Sequence, residues 1–331
     1  MKNEDKLIMS KKVNLASPKA GAKIIDVSDD FFAKCDRMLN DKDPIFIDDK
    51  YDDHGKWMDG WESRRKRVEG NDWAIIGLGG RCSIKDVIID TSHFTGNYPP
   101  AASLDFSSNH SYETGSLDWQ PLLEKQILKG DHVNEFQLLK NENVTYVRLN
   151  IFPDGGVARL RLFGDLIPFS QDLSKAIELS ALKNGGKIVG YNNAHYGNVN
   201  ALLSEGRGTT MGDGWETRRR RVPGNDFIII ELGTPGLISN VEIDTCHFKG
   251  NFPDRASIQT IDLNNEKDKM KAFEASNNWE LFLGEKKCKA DTIHKFEKND
   301  FLHEKIVSHI RLNIYPDGGV SRFRIFGQPV S

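Results

Sequence analysis

The sequence predicts an all-β protein made of two tandem antiparallel β-sandwich domains that arose by internal duplication. A long polar motif occurs twice, short runs of β-branched residues end at glycines, and turn residues follow at close spacing in each copy. Many short strands bounded by such turns are typical of β-sandwiches. With 331 residues the chain has room for two domains, each large enough to bury a core of its own.

The duplication is visible as three segments that recur in the same order. The stretch DGWESRRKRVEGNDW, which begins at Asp59, returns as DGWETRRRRVPGNDF from Asp213. Downstream, IDTSHFTGNYP returns as IDTCHFKGNFP, and RLNIFPDGGVARLRLFG returns as RLNIYPDGGVSRFRIFG. This spacing is far too long for a solenoid repeat, so the pattern indicates a duplicated domain.

These segments place the first domain at residues 14–166 and the second at residues 176–331. The boundary between them is expected just after Gly164, where a proline and several polar residues interrupt the pattern. Residues 1 to about 13 precede the first repeated segment, and we expect them to form a mobile arm.

Within the first copy, the predicted elements follow one another as strands. WAIIGLGG and IKDVIID are expected to form two successive buried strands, because both are β-branched runs. RLNIFPDGGVARLRLFG is expected to be a hairpin with Pro-Asp-Gly-Gly as its turn. In its second arm Leu160 and Leu162 share one face, and Arg159 and Arg161 share the other, polar face. The best helical stretch is SQDLSKAIELSALK, near residue 175.

Composition excludes several classes of protein. Lys and Arg together number 45 against 48 Asp and Glu, a net charge of −3, which argues against a nucleic-acid partner held by an overall cationic field. No apolar run approaches the roughly 20 residues needed to cross a bilayer, and the N-terminus lacks the apolar region of a secretory signal. The four cysteines have no CxxC spacing, so free thiols in a reducing compartment are expected. The sequence therefore predicts a cytoplasmic protein with no membrane or nucleic-acid partner.

Arginines dominate the polar residues that recur in both copies. A duplicated scaffold needs its apolar pattern but not its polar identities, so recurring polar residues are candidates for function. Guanidinium groups bind carboxylates bidentately, which favours a site for an anionic ligand. The alternative is a solvated strand face with Asp and Glu partners, since exposed ion pairs are common and weak. The candidate substrate-binding arginines are Arg64, Arg65, Arg67, Arg148, Arg159, Arg161, Arg218, Arg219, Arg221, Arg311, Arg322 and Arg324.

Histidines and carboxylates recur beside the arginines and are the candidate catalytic residues. A histidine beyond a strand end could be a general acid or base, because an imidazole titrates near neutral pH. It could equally be a loop residue that hydrogen-bonds Asp90 or Asp244. Each recurring carboxylate could transfer protons or simply pair with a nearby arginine. The candidate catalytic residues are His93, His247, Glu62, Glu216, Asp72 and Asp226.

The motifs DGWExRRxRVxGND, DTxHFxGNxP and RLNIxPDGGxxRxRxFG closely resemble the allantoicase family, from about residue 15 to residue 328. The resemblance implies two jelly-roll β-sandwiches similar to galactose-binding-like modules, in a homo-oligomeric enzyme of purine degradation. It implies hydrolysis of the small molecule allantoate to ureidoglycolate and urea. Allantoate carries one carboxylate and two ureido arms, so arginines suit the carboxylate, and amide side chains suit the ureido groups. The candidate amides are Asn71, Asn97, Asn225 and Asn251.

Three questions stay open at this stage. No cofactor is indicated, and no local metal-ligand spacing occurs, but carboxylates and imidazoles from distant segments could converge on a divalent metal. The alternative function is a non-catalytic double binding module for a small anionic ligand or glycan; a purely structural duplicate would leave the recurring polar residues unexplained. The copies also differ, for example where Pro223 replaces Glu69, so one of them can carry the productive site while the other supports assembly.

Overall fold

The computed structural model describes residues 6–10, 12–109, 111–112, 117–139, 141, 143–167, 175–264 and 266–330. The chain divides into two compact units. The first unit is Lys12–Ile167, and the second unit consists of Met1–Lys11 together with Pro168–Ser331. Regular structure in both units is almost entirely antiparallel β-strand, which confirms the predicted fold class.

The strands are named in chain order. Strand β1 (Ile8–Met9) belongs to the second unit. The first unit contains β2 (Val13–Asn14), β3 (Lys23–Val27), β4 (Tyr51–Asp52), β5 (Gly55–Lys56), β6 (Trp61–Glu62), β7 (Asp72–Asp90), β8 (Ala101–Ser107), β9 (Gln120–Ile127), β10 (Val133–Gln137), β11 (Val144–Phe152), β12 (Gly156–Val157) and β13 (Arg159–Ile167).

The remaining elements belong to the second unit. Its further strands are β14 (Ile177–Glu178), β15 (Lys187–Tyr191), β16 (Trp215–Glu216), β17 (Asp226–Asp244), β18 (Arg255–Ile261), β19 (Glu280–Lys287), β20 (Ile293–Glu297), β21 (Ile306–Tyr315), β22 (Gly319–Val320) and β23 (Arg322–Pro329). One α-helix, α1 (Lys269–Glu274), lies within the described part of the chain. Short 3₁₀ turns span Pro18–Ala20, Cys35–Leu39, Leu182–Asn184, Val199–Leu203, Ser276–Asn278 and Lys298–Asp300.

One long strand in each unit takes part in both layers of the sandwich. The first part of β7 pairs with β3 and β11, and its last part pairs with β10 and β13. The two layers are therefore β3–β7–β11–β8–β9 and β10–β7–β13–β2. In the second unit, β17 joins β15–β17–β21–β18–β19 to β20–β17–β23–β14 in the same way. The inward side chains of the first unit form a fully buried core that includes Ile76, Val87, Leu149 and Leu160.

Two details of the strand prediction are wrong. WAIIGLGG and IKDVIID form one strand, β7, and Gly79 does not end it. A Cβ at Gly79 would lie 1.8 Å from the carbonyl oxygen of Ala20, so glycine is required there by a close backbone approach. The predicted hairpin arms, β11 and β13, both pair with β7 and not with each other. Pro-Asp-Gly-Gly therefore connects the two layers of the sandwich.

The N-terminal segment is part of the second unit. Ile8 and Met9 pair with Tyr191 and Gly190, and the amide of Ser10 donates to the carbonyl of Val189 at 3.0 Å. The prediction of a mobile arm is therefore wrong for residues 6–10, while residues 1–5 and 11 lie outside the described residues. An edge strand satisfies its backbone groups by pairing, which outweighs the weak local preferences of so short a segment.

The predicted helix near residue 175 is also wrong. Ile177–Glu178 forms β14, and Leu182–Asn184 forms a 3₁₀ turn. Residues 170–174 of that stretch lie outside the described part. Pairing of β14 with β23 satisfies backbone groups that a helix would have satisfied internally.

The second copy has a longer, lysine-rich stretch before Trp279, NNEKDKMKAFEASNN. This insertion contains α1 and packs on the second unit. Phe273 and Trp279 join a buried cluster with Phe227 and Ile229 of β17. Lys269 of α1 lies 3.3 Å from the carboxylate of Glu231 on the same strand. Burial alone would raise the pKa of Glu231, but His309, Lys187 and Lys269 outweigh it and lower the pKa to about 2.

Two further findings concern membrane-spanning helices and the cysteines. No helix in the described ranges is both long enough and apolar enough to cross a membrane. All four cysteines, Cys35, Cys82, Cys246 and Cys288, are free and buried.

Candidate functional site

Three loops meet at one end of the first unit. They are the loop that follows β6, the loop that follows β7, and the Pro-Asp-Gly-Gly segment before β12. The amide of Ser63 donates to Gly155 at 3.2 Å, and the amide of Gly156 donates to Asn97 at 2.7 Å. The equivalent bonds recur in the second unit, where Thr217 donates to Gly318 at 3.0 Å. The recurring motifs thus converge in space in each unit.

The glycines of this segment allow the loops to pack closely. Gly155 has a φ of 139°, and a Cβ there would lie 2.6 Å from the nitrogen of Pro99. A Cβ at Gly156 would lie 2.0 Å from the ring of Phe94. Gly318 of the second unit meets Pro253 in the same way, with a φ of 145°. The two glycines are therefore packing requirements of the loop cluster.

A glutamate and an asparagine form a pair in each loop cluster. In the first unit, Asn97 Nδ2 donates to Glu62 Oε1 at 2.7 Å. In the second unit, Asn251 donates to Glu216. Burial raises the pKa of Glu62, and the hydrogen bond from Asn97 offsets this only in part. A partly buried carboxyl group with a raised pKa keeps its proton to a higher pH than an exposed one, which favours a role as proton donor.

The recurring aspartate of the first unit is held by a cation from its own loop. Asp72 is buried, and its Oδ1 accepts from Lys66 Nζ at 2.7 Å and from Ser28 Oγ at 3.1 Å. These contacts use the carboxylate to anchor the loop after β6 to β7. Sequence reasoning named the flanking arginines of this loop and missed Lys66; the signal was that this position is also cationic in the second copy.

The second unit repeats this arrangement with a fully buried ion pair. Asp226 Oδ1 accepts from Arg220 Nη1 at 3.0 Å and from Asn192 Nδ2 at 3.0 Å. Burial raises the pKa of Asp226, while Thr217 and Arg220 oppose that rise. A buried carboxylate that is already paired is poorly placed to move protons to a substrate, so Asp72 and Asp226 are best described as loop anchors.

The first recurring histidine is fixed by its backbone and by one ring nitrogen. His93 has a φ of 69°, its amide donates to Asp131 Oδ1 at 2.8 Å, and its Nε2 lies 3.3 Å from the carbonyl oxygen of Pro44. Asp90, one of its expected partners, instead accepts from the amide of Ser92 at 2.8 Å. Because a carbonyl oxygen only accepts, Nε2 carries the proton and Nδ1 is the acceptor.

His247 repeats this geometry in the second unit. Its φ is 68°, its amide donates to Asp291 Oδ1 at 2.9 Å, and its Nε2 lies 2.8 Å from the carbonyl oxygen of Gly208. Asp244, its expected partner, accepts from the amide of Cys246 at 2.9 Å. The two imidazoles therefore have the same tautomer and the same orientation relative to their loops.

Two of the candidate arginines have a structural role, because they bind loops of their own unit. Arg159 is fully buried, and it donates from Nε to the carbonyl of Lys42 at 2.8 Å and from Nη2 to Asp59 Oδ2 at 2.6 Å. Arg322 of the second unit, 2% exposed, donates to the carbonyl and carboxylate of Asp213. The polar face predicted for this strand is thus buried at Arg159, because the segment that contains Lys42 and Asp59 folds over it.

The next arginine of each strand also bonds to that loop. Arg161 donates to the carbonyl of Asp41 at 3.2 Å, and Arg324 donates to Glu178 Oε2 at 2.9 Å and to the carbonyl of Gly206. These contacts use the guanidinium donors to hold the protein's own backbone carbonyls and, for Arg324, the carboxylate of Glu178. We therefore leave Arg159, Arg161, Arg322 and Arg324 out of the candidate binding site.

Arg148 and Arg311 lie on the strands of one layer and bond to neighbours in their own unit. Arg148 donates from Nη2 to Asp105 Oδ2 at 2.8 Å. Arg311 donates from Nη1 to Ser276 Oγ at 2.7 Å and stacks on the ring of Phe227 at 3.7 Å. Both guanidinium groups are part of the packing of the sheet.

The recurring loop asparagines have backbone partners. Asn71 Nδ2 donates to the carbonyl of Asp72 at 3.0 Å, and Asn225 Nδ2 donates to the carbonyl of Asp226 at 3.0 Å. Asn225 also donates to Asn313 Oδ1 at 3.1 Å, which links this loop to β21.

The remaining arginines of the loops after β6 and β16 are exposed. They are Arg64, Arg65, Arg67, Arg218, Arg219 and Arg221. Arg64 is ion-paired with Asp29 at 2.6 Å, whereas Arg218 donates from Nε to His195 Nδ1 at 2.9 Å. No three His, Cys, Asp or Glu side chains among the residues described here come together as a metal site. The loop cluster therefore combines a glutamate–asparagine pair with exposed cations, while the recurring histidine of each unit contacts a backbone carbonyl of another segment.

Comparisons with known proteins identify the family of this chain. The family model "Allantoicase repeat" matches residues 13–167 and 177–330. A "Probable allantoicase" of Acinetobacter baumannii (strain ACICU) is 47% identical over 321 residues, which cover 97% of this chain and 95% of the relative. A "Probable allantoicase 1" of Burkholderia mallei (strain ATCC 23344) is 47% identical over 318 residues, covering 95% and 94%.

A solved structure is similar over nearly the same length. The crystal structure of allantoicase from Saccharomyces cerevisiae has a TM-score of 0.80 at 32% identity, and the match covers 97% of this chain and 95% of that one. Family model, relatives and solved structure thus agree over almost the whole chain. The chain belongs to the allantoicase family, as a tandem pair of allantoicase repeats with the jelly-roll sandwich fold.

Proposed function

We propose that this chain is an allantoicase that hydrolyses allantoate to ureidoglycolate and urea. Membership of the allantoicase family over nearly the full length supports this reaction. The structural observation that carries it is the Glu–Asn pair that recurs in each loop cluster. Proton transfer is what the cleavage of a ureido C–N bond requires.

The site can supply both proton transfers of the reaction. The carboxyl group of Glu62 or of Glu216 donates a proton to the ureido nitrogen that leaves, so that the C–N bond breaks and urea departs neutral. Nδ1 of His93 or His247 accepts a proton from the water whose oxygen bonds to the central carbon. Asn97 Nδ2 orients the glutamate by donating to its Oε1 at 2.7 Å.

Substrate recognition is assigned to the exposed cations and amides of the loops. A carboxylate suits guanidinium groups, and a ureido group suits amide side chains that both donate and accept. The exposed candidates for the first role are Arg65, Arg67, Arg218, Arg219 and Arg221, while Arg64 is exposed but already paired with Asp29. Asn71 and Asn225 are candidates for the second.

The test is urea release from allantoate by the purified chain and by the Glu62→Gln/Glu216→Gln double variant. Loss of the proton donor should lower kcat by about a hundredfold or more. Glu69→Gln, an exposed change in the same loop, is the control and should retain wild-type kcat. Wild-type rates in the double variant would remove the glutamates from the mechanism.

The same assay separates the competing function and the metal requirement. Allantoate that raises the melting temperature without any urea release would favour a non-catalytic binding module. Urea release is measured as prepared, after chelation and after adding back divalent metal. Loss on chelation with recovery on addition would assign carboxylates or imidazoles to a metal.

We also propose that the enzyme is cytoplasmic and homo-oligomeric. Four buried free cysteines are compatible with a reducing compartment. Size-exclusion chromatography with light scattering measures the subunit number directly.

A further inference from the structure

In the first unit, Arg64 of the loop after β6 is bound by a carboxylate of the chain itself, that of Asp29. Asp29 Oδ2 accepts from Arg64 Nε at 2.7 Å and from Nη2 at 2.6 Å, and its Oδ1 accepts from the backbone amide of Arg64 at 2.8 Å. This is how a guanidinium group binds any carboxylate ligand. The donors of Arg64 that face this position are therefore used internally.

The second unit keeps this geometry but lacks the carboxylate. Trp61 Nε1 donates to the carbonyl of Asp29 at 2.8 Å, and Trp215 Nε1 donates to the carbonyl of Asn193 at 2.8 Å, so Asn193 occupies the place of Asp29. Asn193 is neutral, and its Oδ1 accepts the backbone amide of Arg218 at 3.4 Å. No acidic residue within the described ranges forms an ion pair with Arg218.

His195 holds the guanidinium group of Arg218 and is itself bonded to the backbone of Glu216. Its Nδ1 accepts from Arg218 Nε at 2.9 Å, and its backbone amide donates to the carbonyl of Glu216 at 2.9 Å. The first copy has Phe31 at the position of His195. Arg218 is therefore held through Nε by His195, while its two terminal nitrogens stay available for a ligand.

The loop cluster of the second unit also carries less negative charge than that of the first unit. Three acidic residues of the first copy are replaced by neutral ones in the second, while the loop keeps four consecutive cationic positions. The replacements are Asp29 by Asn193, Asp30 by Ala194 and Glu69 by Pro223. The second cluster therefore attracts an anion more strongly than the first.

We propose that the second unit alone binds the substrate carboxylate, through Arg218 positioned by His195, and that Asp29 closes the equivalent position of the first unit. The identity of the ligand as allantoate rests on the proposed function. The unequal binding of a carboxylate by the two arginines rests on their contacts alone. Asp29 thus holds Nε and Nη2 of Arg64, whereas the terminal nitrogens of Arg218 are left for the ligand.

The test compares Arg218→Ala with its matched counterpart Arg64→Ala. Loss of a charge-assisted, bidentate contact should raise KM for allantoate by about tenfold to a hundredfold in Arg218→Ala, with kcat within about threefold of wild type. Arg64→Ala should keep the wild-type KM. Equal increases in both variants, or an increase only in Arg64→Ala, would overturn the proposal.

A second pair of variants moves the internal carboxylate between the units. Asn193→Asp should place a carboxylate on Arg218 and raise KM to a similar extent, whereas Asp29→Asn should leave KM unchanged or lower it. An unchanged KM in Asn193→Asp would contradict the proposal. Melting temperatures close to wild type show that each variant is folded.

Direct binding keeps the proposal separate from the reaction. Allantoate binding is measured by calorimetry on the same four variants. If wild type releases no urea, the proposed function fails, and the ranking of affinities still decides the inference. If wild type releases urea and all four variants bind equally, the inference fails while the reaction stands.

Discussion

Burial and pairing decide what each recurring side chain can do. Glu62 and Asp72 both recur in the second copy, yet only Asp72 is neutralised by a cation, Lys66, at 2.7 Å. Arg159 resembles the exposed arginines in the sequence, but its donors are spent on the backbone of a folded-over loop. Sequence reasoning identified residue types with suitable chemistry, because that chemistry depends on the side chain. It could not distinguish an arginine that binds the protein's own loops from one that binds a ligand. That difference depends on which segment covers the residue.

The raised pKa of Glu62 predicts a pH-dependent effect on stability. Since burial raises this pKa above its ordinary value of 4.5, the folded state binds a proton that the unfolded state has released, so stability falls as pH rises through that interval. Glu62→Gln removes this loss. Its melting temperature should therefore rise relative to wild type as the pH is raised from about 4 towards 7.

Melting curves across this pH range check the prediction. Glu69→Gln serves as the control, since Glu69 is exposed and its replacement should give a constant difference from wild type. A difference between Glu62→Gln and wild type that stays flat or shrinks with rising pH would contradict a buried, proton-binding Glu62.

At the level of strands, local patterns predicted where the chain is extended but not which strands pair. The glycines in WAIIGLGG indicated an end, whereas Gly79 lets Ala20 approach a continuous strand. The Pro-Asp-Gly-Gly segment indicated a hairpin turn, whereas its glycines allow contact with Phe94 and Pro99. Both signals were real requirements for glycine. Their cause was a tertiary contact, which a single sequence does not display.

Strand β1 predicts that the N-terminus protects an edge of the second unit. Deletion of residues 1–10 removes β1, one of the two strands that pair with β15, so that backbone groups at this edge of β15 face water. Amide hydrogen exchange within Lys187–Tyr191 should become at least about tenfold faster. Lys23–Val27, the corresponding strand of the first unit, is the internal control. Equal acceleration in both strands would mean that the deletion acts globally and not through β1.

On the scale of the whole chain, duplication has kept the scaffold and let the two clusters diverge. Both units keep the long central strand, the paired layers and the Glu–Asn pair, so the folding requirements are met twice. Their differences fall on Asp29 and Phe31 against Asn193 and His195, and on the insertion that forms α1. Neutral replacements at the entrance of one cluster are what unequal ligand binding requires.

The number of allantoate molecules bound per chain is therefore predicted to be one. Titration calorimetry on the Glu62→Gln/Glu216→Gln variant prevents turnover and leaves Arg218 and Asp29 in place. We expect about one site per chain, and a weakening of that site as salt is added, because the contact is exposed and ionic. In the same background, Asp29→Asn should add a second, weaker site by releasing Arg64. Two equal sites before that change would show that Asp29 does not exclude the ligand, and both copies would then be binding sites.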